Sequence, residues 1–240
     1  MATTTIEVDL QGAVFKNYGN LLVNWLNNVR NATTGTTATT YTTYTNAYNP
    51  IEAALVSGRG GYQGRCSRTF LFFDVSSITS TDTITAATLK VRGGGLSTNA
   101  DTIVIESTAW GGNGTTTSLT TSDYSNIDYD EDYSSELTTW ATNAYNDFTM
   151  NTGAINNMNT SGYLNCAVIE HDYDYNGVNP SVGTQATAGV KFDDNTDFIK
   201  IVLTHSPTGY GHDIMGVDSA DIVKVNGVAS ADIVKFNGVI

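Results

Sequence analysis

Residues 66–75, CSRTFLFFDV, constrain the fold of this 240-residue chain more than any other stretch. In an extended chain Phe70 and Phe72 point one way, and Leu71 and Phe73 point the other. A strand that is apolar on both faces must be covered on both sides, which fits a core strand of a β-sandwich. The Gly-rich loop before it, SGRGGYQGR, is followed by no Lys-Ser/Thr pair and opens no helix, so it does not read as a phosphate loop. After it, SSITSTDT reads as a turn. ITAATLKVRG then reads as a strand, with Ile84, Ala86, Thr88 and Lys90 opposed to Ala87, Leu89 and Val91.

Further strands are expected over 3–15, 102–109, 163–170, 187–192 and 197–206. Thr, Asn and Ser are abundant while the long helix formers are scarce, which favours β-structure and turns over helices. Residues 20–30 carry Leu21, Leu22, Trp25, Leu26 and Val29 at helical spacing, with a strand as the competing reading. Ser134 or Ser135 is placed to cap a helix carrying Leu137, Trp140, Ala141, Ala144, Tyr145 and Phe148. Residues 151–162 read as one helical turn and a reverse turn. Residues 31–49, rich in Thr, Tyr and Asn, read as extended surface chain.

The formal net charge is −13 and the pI about 4.3, so phosphate-rich partners are disfavoured: no nucleic acid and no anionic membrane are expected. Cations, glycans and protein surfaces remain. No apolar run approaches the roughly 20 residues of a membrane-spanning helix. The start, MATTTIEVDLQG, has neither a basic nor an apolar signal region, which suits a protein made in a host cytoplasm and released by lysis, or one exported by another route. Cys66 and Cys166 make no disulfide framework; buried free thiols and a facing pair are the two readings.

The tail repeats itself. SADIVKVNGV (219–228) recurs as SADIVKFNGV (230–239), a period of eleven, preceded by the weaker copy HDIMGV. One small apolar face per repeat cannot build a core, so Ile222, Val223, Val225, Val228, Ile233, Val234, Phe236 and Val239 are expected to pair with each other or with a partner.

Asp172-Tyr-Asp174-Tyr-Asn176-Gly177 matches the first half of a calcium loop, in which alternate oxygens point inward and Gly makes the turn. Gly183 stands where the closing Glu belongs, so a solvated turn competes with a Ca²⁺ site formed by Asp172, Asp174 and Asn176. No cofactor is required. The acidic run through Asp123, Asp128, Asp130, Glu131 and Asp132 reads as a solvated face. Tyr41, Tyr44 and Tyr48, together with Tyr124, Tyr129 and Tyr133, are candidates for stacking on sugar rings or lining an interface. His171, His205 and His212 sit in no H-E-x-x-H or G-x-S-x-G context, so no enzyme is expected.

The block RTFLFFDVSSITSTDTITAATLKVRG resembles the hallmark of DNRLRE-type, carbohydrate-binding-module-like sandwich domains. It carries the resemblance at Arg68, Phe73, Asp74, Ile78, Ile84, Ala87 and Leu89. The stretch from Trp140 to Gly162 and the ending DFIKIVLTHS resemble later parts of such domains in phage and prophage proteins. The C-terminal repeat is similar to tails of otherwise different phage structural proteins.

The resemblance implies an all-β fold, an antiparallel jelly-roll-like β-sandwich with one or two short helices and an extended C-terminal repeat tail. The expected organisation is an N-terminal segment (1–50), a sandwich core (51–207) and an attachment tail (208–240). The function expected is that of a virion structural protein: a capsid decoration, fibre or tail component at the virion surface. Its partners would be itself, as a homo-oligomer, and other virion proteins. A module binding host surface polysaccharide, or a subunit of an extracellular filament, is the alternative.

Overall fold

The computed structural model describes residues 1–20, 24–58, 60–98, 100–192, 198–207, 224–225 and 228–229. The strands are, in chain order, β1 (Ala2–Glu7), β2 (Leu10–Asn20), β3 (Thr37–Thr40), β4 (Thr45–Gly58), β5 (Gly61–Asp74), β6 (Asp82–Thr98), β7 (Thr102–Ser107), β8 (Ile127–Asp132), β9 (Tyr145–Thr149), β10 (Tyr163–Glu170), β11 (Thr184–Phe192) and β12 (Ile199–Pro207). Two short strands, β13 (Lys224–Val225) and β14 (Val228–Ala229), form a separate two-stranded sheet among the described residues. All pairings between these strands are antiparallel, and the fold is an all-β sandwich.

One layer runs β1-β12-β6-β9. The other runs β11-β4-β5-β10-β7-β8, with β2 along the opposite edge of β5 and β3 beyond it. Strand β6 belongs to both. Its first part pairs with β12, and past Gly93 it pairs with β11. The crossing is tight: a Cβ on Gly93 would lie 2.0 Å from the Ala141 carbonyl oxygen, and one on Gly94 would lie 2.9 Å from the Gly189 backbone. Only glycine lets these backbones approach so closely.

The second layer is buried on both faces. Leu71 and Phe73 of β5, Cys166 and Val168 of β10 and Val104 of β7 face the other layer, meeting Leu89, Val91, Ile201 and Leu203. Phe70 and Phe72, Ala167 and Ile169, and Ile103 and Ile105 face outward into a second core, covered by Trp25, Val29, Trp110, Leu119 and Tyr124. The double-faced run at 66–75 is explained by these two covers. Cys66 and Cys166 are both free and buried, in different cores, so the facing-pair reading does not hold.

Several expectations are corrected. Residues 134–148 form no helix. Ser134 and Leu137 make isolated bridges to Met150 and Thr102, and Tyr145 opens β9. Asn143 sits at φ 59°, which breaks a helix, and Trp140 spends its indole N–H on the Gly189 carbonyl, 3.1 Å away. Tertiary partners override the periodicity here. Conversely, 151–162 holds a full helix, α2 (Thr152–Ser161), following the single-turn helix α1 (Ser76–Thr79). Asn151 caps α2 by accepting from Ala154 N, and Gly162 closes it at φ 77°.

The helical signal at 20–30 becomes a π-helical turn, Leu26–Arg30, with Trp25 and Val29 buried; residues 21–23 lie outside the described residues. The expected strand over 3–15 splits at Val8 and Asp9, where the chain passes between layers. A register shift opposite Thr204 and His205 puts Ile84 in the core with Ala87, Leu89 and Val91, not on the side of Ala86, Thr88 and Lys90. The first 50 residues are no separate segment, because β1 and β2 are integral to the two layers. In the tail, Val225 and Val228 are paired, whereas Ile222, Val223, Ile233, Val234, Phe236 and Val239 lie outside the described residues.

The crossing supplies a test. Gly93→Ala should lower stability by about 1–3 kcal/mol, the range for overpacking a filled site. Urea unfolding measures it; an unchanged midpoint would show that β6 does not need the close approach to Ala141.

Candidate functional site

Arg68 lies on β5 between Cys66 and Phe70, on the face turned to the outer core, and its side chain is 1% exposed. A guanidinium there needs a buried acid. Asp174 provides it, from the π-helical turn His171–Tyr175 that follows β10. Arg68 Nε donates to Asp174 Oδ2 at 2.8 Å and Nη2 to Oδ1 at 2.7 Å, a bidentate pair. Its remaining donors reach the carbonyls of Tyr124 and Arg30 and the hydroxyl of Tyr129. The Tyr129 hydroxyl donates in turn to Asp174 Oδ1 at 2.8 Å, and the Cys66 thiol points at Oδ2 at 3.4 Å. Arg68 lies over the ring of Tyr124, and Arg30 over that of Tyr129.

The turn carrying Asp174 is itself pinned. Glu170 is fully buried and accepts from the backbone N–H groups of Asp172, Tyr173 and Asp174. Arg30 donates to the carbonyls of Asp174 and Tyr175. Burial alone would raise the Asp174 carboxyl, but the Arg68 guanidinium outweighs it and holds the group below the usual carboxylate range. Burial pushes Glu170 up to about 8 against those three N–H groups, with the Asp174 charge adding to it. Burial likewise raises the Cys66 thiol, with the Asp174 charge adding to it. A thiol held protonated inside a core is a poor nucleophile.

This geometry takes the calcium half-loop apart. Both Asp174 oxygens are engaged by Arg68, Tyr129 and Cys66 inside the protein. Asp172 is exposed on the other side of the turn, 3.4 Å from His171 Nδ1, and Asn176 is exposed beyond it. The sequence spacing was that of a cation loop; the fold uses its middle acid as the counter-charge of an arginine 106 residues away.

The six tyrosines divide as well. Tyr124 and Tyr133 are buried, Tyr129 belongs to the arginine cluster, and Tyr41 stacks on Phe192 with centroids 4.0 Å apart. Tyr44 and Tyr48 remain exposed, at 56% and 67%. Tyr44 meets Phe198 edge-on at 5.6 Å.

Phe198 leads to a surface that the sequence reading missed. On the solvent side of β12, β6 and β9, Lys200 is opposite Lys90, Lys90 opposite Asp147, and Arg92 opposite Tyr145. Arg92 lies 5.6 Å from the Tyr145 ring centre and 5.4 Å from that of Phe198, and Lys200 lies 4.9 Å from Tyr145. The signal that could have found this face is the alternation in LKVR and FIKIV, which sets Lys90, Arg92 and Lys200 opposite the apolar positions. Tyr145 was hidden by the helical reading of its segment. The face offers aromatic edges and cationic donors together, suited to a polar, ring-bearing ligand.

The arginine cluster is testable by substitution and by pH. Arg68→Met should cost about 3–5 kcal/mol, because Asp174 is left buried and unpaired, whereas Arg68→Met with Asp174→Leu should recover most of it. The Asp174 contribution is present above about pH 3.8 and lost as pH falls through its lower folded value. The Glu170 contribution has the opposite sign: it is present below 4.5 and lost as pH rises from there to about 8. Urea midpoints across pH 3–9 check both; an Arg68→Met protein as stable as the parent would refute the assignment. No protein-family model matches this chain, nor does any curated protein, so function is read from its own residues.

Proposed function

We propose that this chain is a non-enzymatic structural protein of a phage virion, displaying a β-sandwich and assembling through its C-terminal repeat. The observation that carries the reading is the pairing of Lys224–Val225 with Val228–Ala229. The sequence between these strands is Asn226-Gly227, the pair favoured in two-residue hairpins, and Asn237-Gly238 stands at the same place in the second repeat. A lone two-stranded hairpin is marginal in water. It gains by adding strands, and a second copy or another virion protein supplies them by edge-to-edge pairing. The buried charged groups support a structural role, because Arg68, Asp174 and Cys66 meet one another in the interior and Glu170 is spent on the backbone of the adjoining turn. The acidic balance of the chain supports protein partners over nucleic acid.

Light scattering after size exclusion tests the assembly step. The full chain should form a defined oligomer, and a chain stopped at Pro207, which keeps β1 to β12, should be a folded monomer. Val225→Asp with Phe236→Asp should also give monomers. Equal masses for all three would remove the tail from assembly.

A second reading is favoured by the face around Tyr145 and Phe198: recognition of a host surface polysaccharide. Stacking there predicts saturable binding of a polysaccharide, weakened about fivefold or more by Tyr145→Ala or Phe198→Ala, in line with the roughly 1 kcal/mol such ring contacts contribute. A glycan array followed by titration of the best binder measures it; binding unaffected by either change would dismiss this face.

A further inference from the structure

The surface side of the turn that holds Asp174 carries a separate cluster. His171 Nδ1 lies 3.1 Å from Glu136 Oε1 and 3.4 Å from Asp172 Oδ1. Glu136, His171 and Asp172 bring ligand atoms within 4.8 Å of one another. Asp101 stands next to them in the fold, because its neighbour Thr102 is bridged to Leu137, the neighbour of Glu136. No Lys or Arg ion pair with any of these acids is found among the described residues.

The donors come from separate parts of the chain, and backbone bonds bring them together. Leu137 exchanges both backbone hydrogen bonds with Thr102, at 2.8 and 3.0 Å, which sets Glu136 beside Asp101. The His171 N–H donates to the Asp101 carbonyl at 2.8 Å. The Glu170 cap and the Arg68–Asp174 pair fix the turn from inside. The His171 ring stacks on Tyr175, which limits its rotation. A charge run along one loop would have none of these constraints.

Three carboxylates around one imidazole repel one another. Asp172 also lines an open cleft of about 390 Å³ with Thr98, Tyr173, Gly183 and Thr184, so coordination positions on that side stay open to water or a ligand.

We propose that Glu136, His171 and Asp172, supported by Asp101, form a binding site for a divalent transition-metal ion. One imidazole nitrogen with carboxylate oxygens suits Zn²⁺, Co²⁺ or Ni²⁺, whereas Ca²⁺ and Mg²⁺ take oxygen donors alone. A metal here would tie β7, the 134–137 bridge segment and the 171–175 turn together at the surface and relieve the mutual repulsion of the acids. It is a different site from the half-loop read in the sequence, of which it keeps Asp172 alone. It does not depend on the virion reading.

The test is calorimetric titration of the full chain, stripped with chelator, with Zn²⁺ in the presence of excess Ca²⁺ and Mg²⁺. Saturable binding is expected, weakened at least about tenfold by His171→Ala and by Glu136→Gln, a loss that even a supporting partner of a ligand causes when removed. Glu136 is exposed, so the urea midpoint of metal-free Glu136→Gln should match the parent. Co²⁺ should shift the His171 ring protons in NMR spectra. Absence of saturable binding, equal affinity in His171→Ala, or displacement of Zn²⁺ by an equal concentration of Ca²⁺ would overturn the proposal.

Discussion

The Arg68–Asp174 ion pair is the interaction on which the outer half of the molecule depends. The cover of the outer core is built from short pieces: the π-helical turns Leu26–Arg30 and His171–Tyr175, the 3-10 turn Thr121–Ser125 and the strand β8. None is long enough to be stable as a helix or strand on its own. Arg68 addresses all of them from β5, through Arg30 O, Asp174, Tyr124 O and Tyr129 Oη. A planar group with five donors is suited to this, since it fixes the relative register of four segments at one point. Taking both charges out of water costs several kcal/mol per ion before pairing repays it. The pair therefore contributes chiefly by making one arrangement of the cover far better than its neighbours, and only secondarily by net stability.

Because the second layer is covered on both sides, the solvent-facing surface of the sandwich is asymmetric. Solvent reaches a regular sheet face at β1-β12-β6-β9, where Thr5, Glu7, Lys200, Lys90, Tyr145 and Asp147 point outward. The glycines at 93–94 make this asymmetry, since they carry β6 from the open layer into the covered one. The passage of the chain at Val8 and Asp9 does the same at the other end, with Asp9 accepting the Asp74 N–H at 2.7 Å. The half-buried aromatic and cationic groups at Tyr145, Phe198, Arg92 and Lys200 thus lie on the solvent side by topology.

Much of the layer structure was legible in the sequence, for a physical reason. The side-chain period of a strand is two and is local, so CSRTFLFFDV and YLNCAVIE announce their own burial on both faces. Caps are local too, and Asn151 with Gly162 delimits α2 in ten residues, although the sequence reading shortened it. What could not be read locally was pairing at a distance. Asp174 looked like a calcium ligand because its neighbours at two-residue spacing carry oxygens. One signal was available: Arg68 shares a strand face with Cys66, Phe70 and Phe72, and an arginine in an apolar row demands a buried acid. Which of the chain's 24 acids answers it is fixed only by the fold. The misreading of 134–148 has the same origin. Leu137, Trp140 and Phe148 recur at helical spacing, yet Leu137 bridges to Thr102, Trp140 donates to the Gly189 carbonyl and Phe148 pairs with Leu89.

The five residues His171–Tyr175 join the two polar clusters of the molecule. Their side chains divide between interior and surface: Asp174 turns in to Arg68, while His171 and Asp172 turn out toward Glu136. A five-residue turn has no stability of its own, so the geometry of the outward pair is set by the inward one and by the three N–H groups capped on Glu170. The two clusters are therefore linked thermodynamically. Whatever loosens Asp174, such as protonation at low pH, also blurs the positions of His171 and Asp172. By reciprocity, an ion held by His171 and Asp172 would stabilise the turn that delivers Asp174 to the core. The surface cluster is preorganised because the interior pair is buried, and the cost of burying a charge reappears as order at the surface.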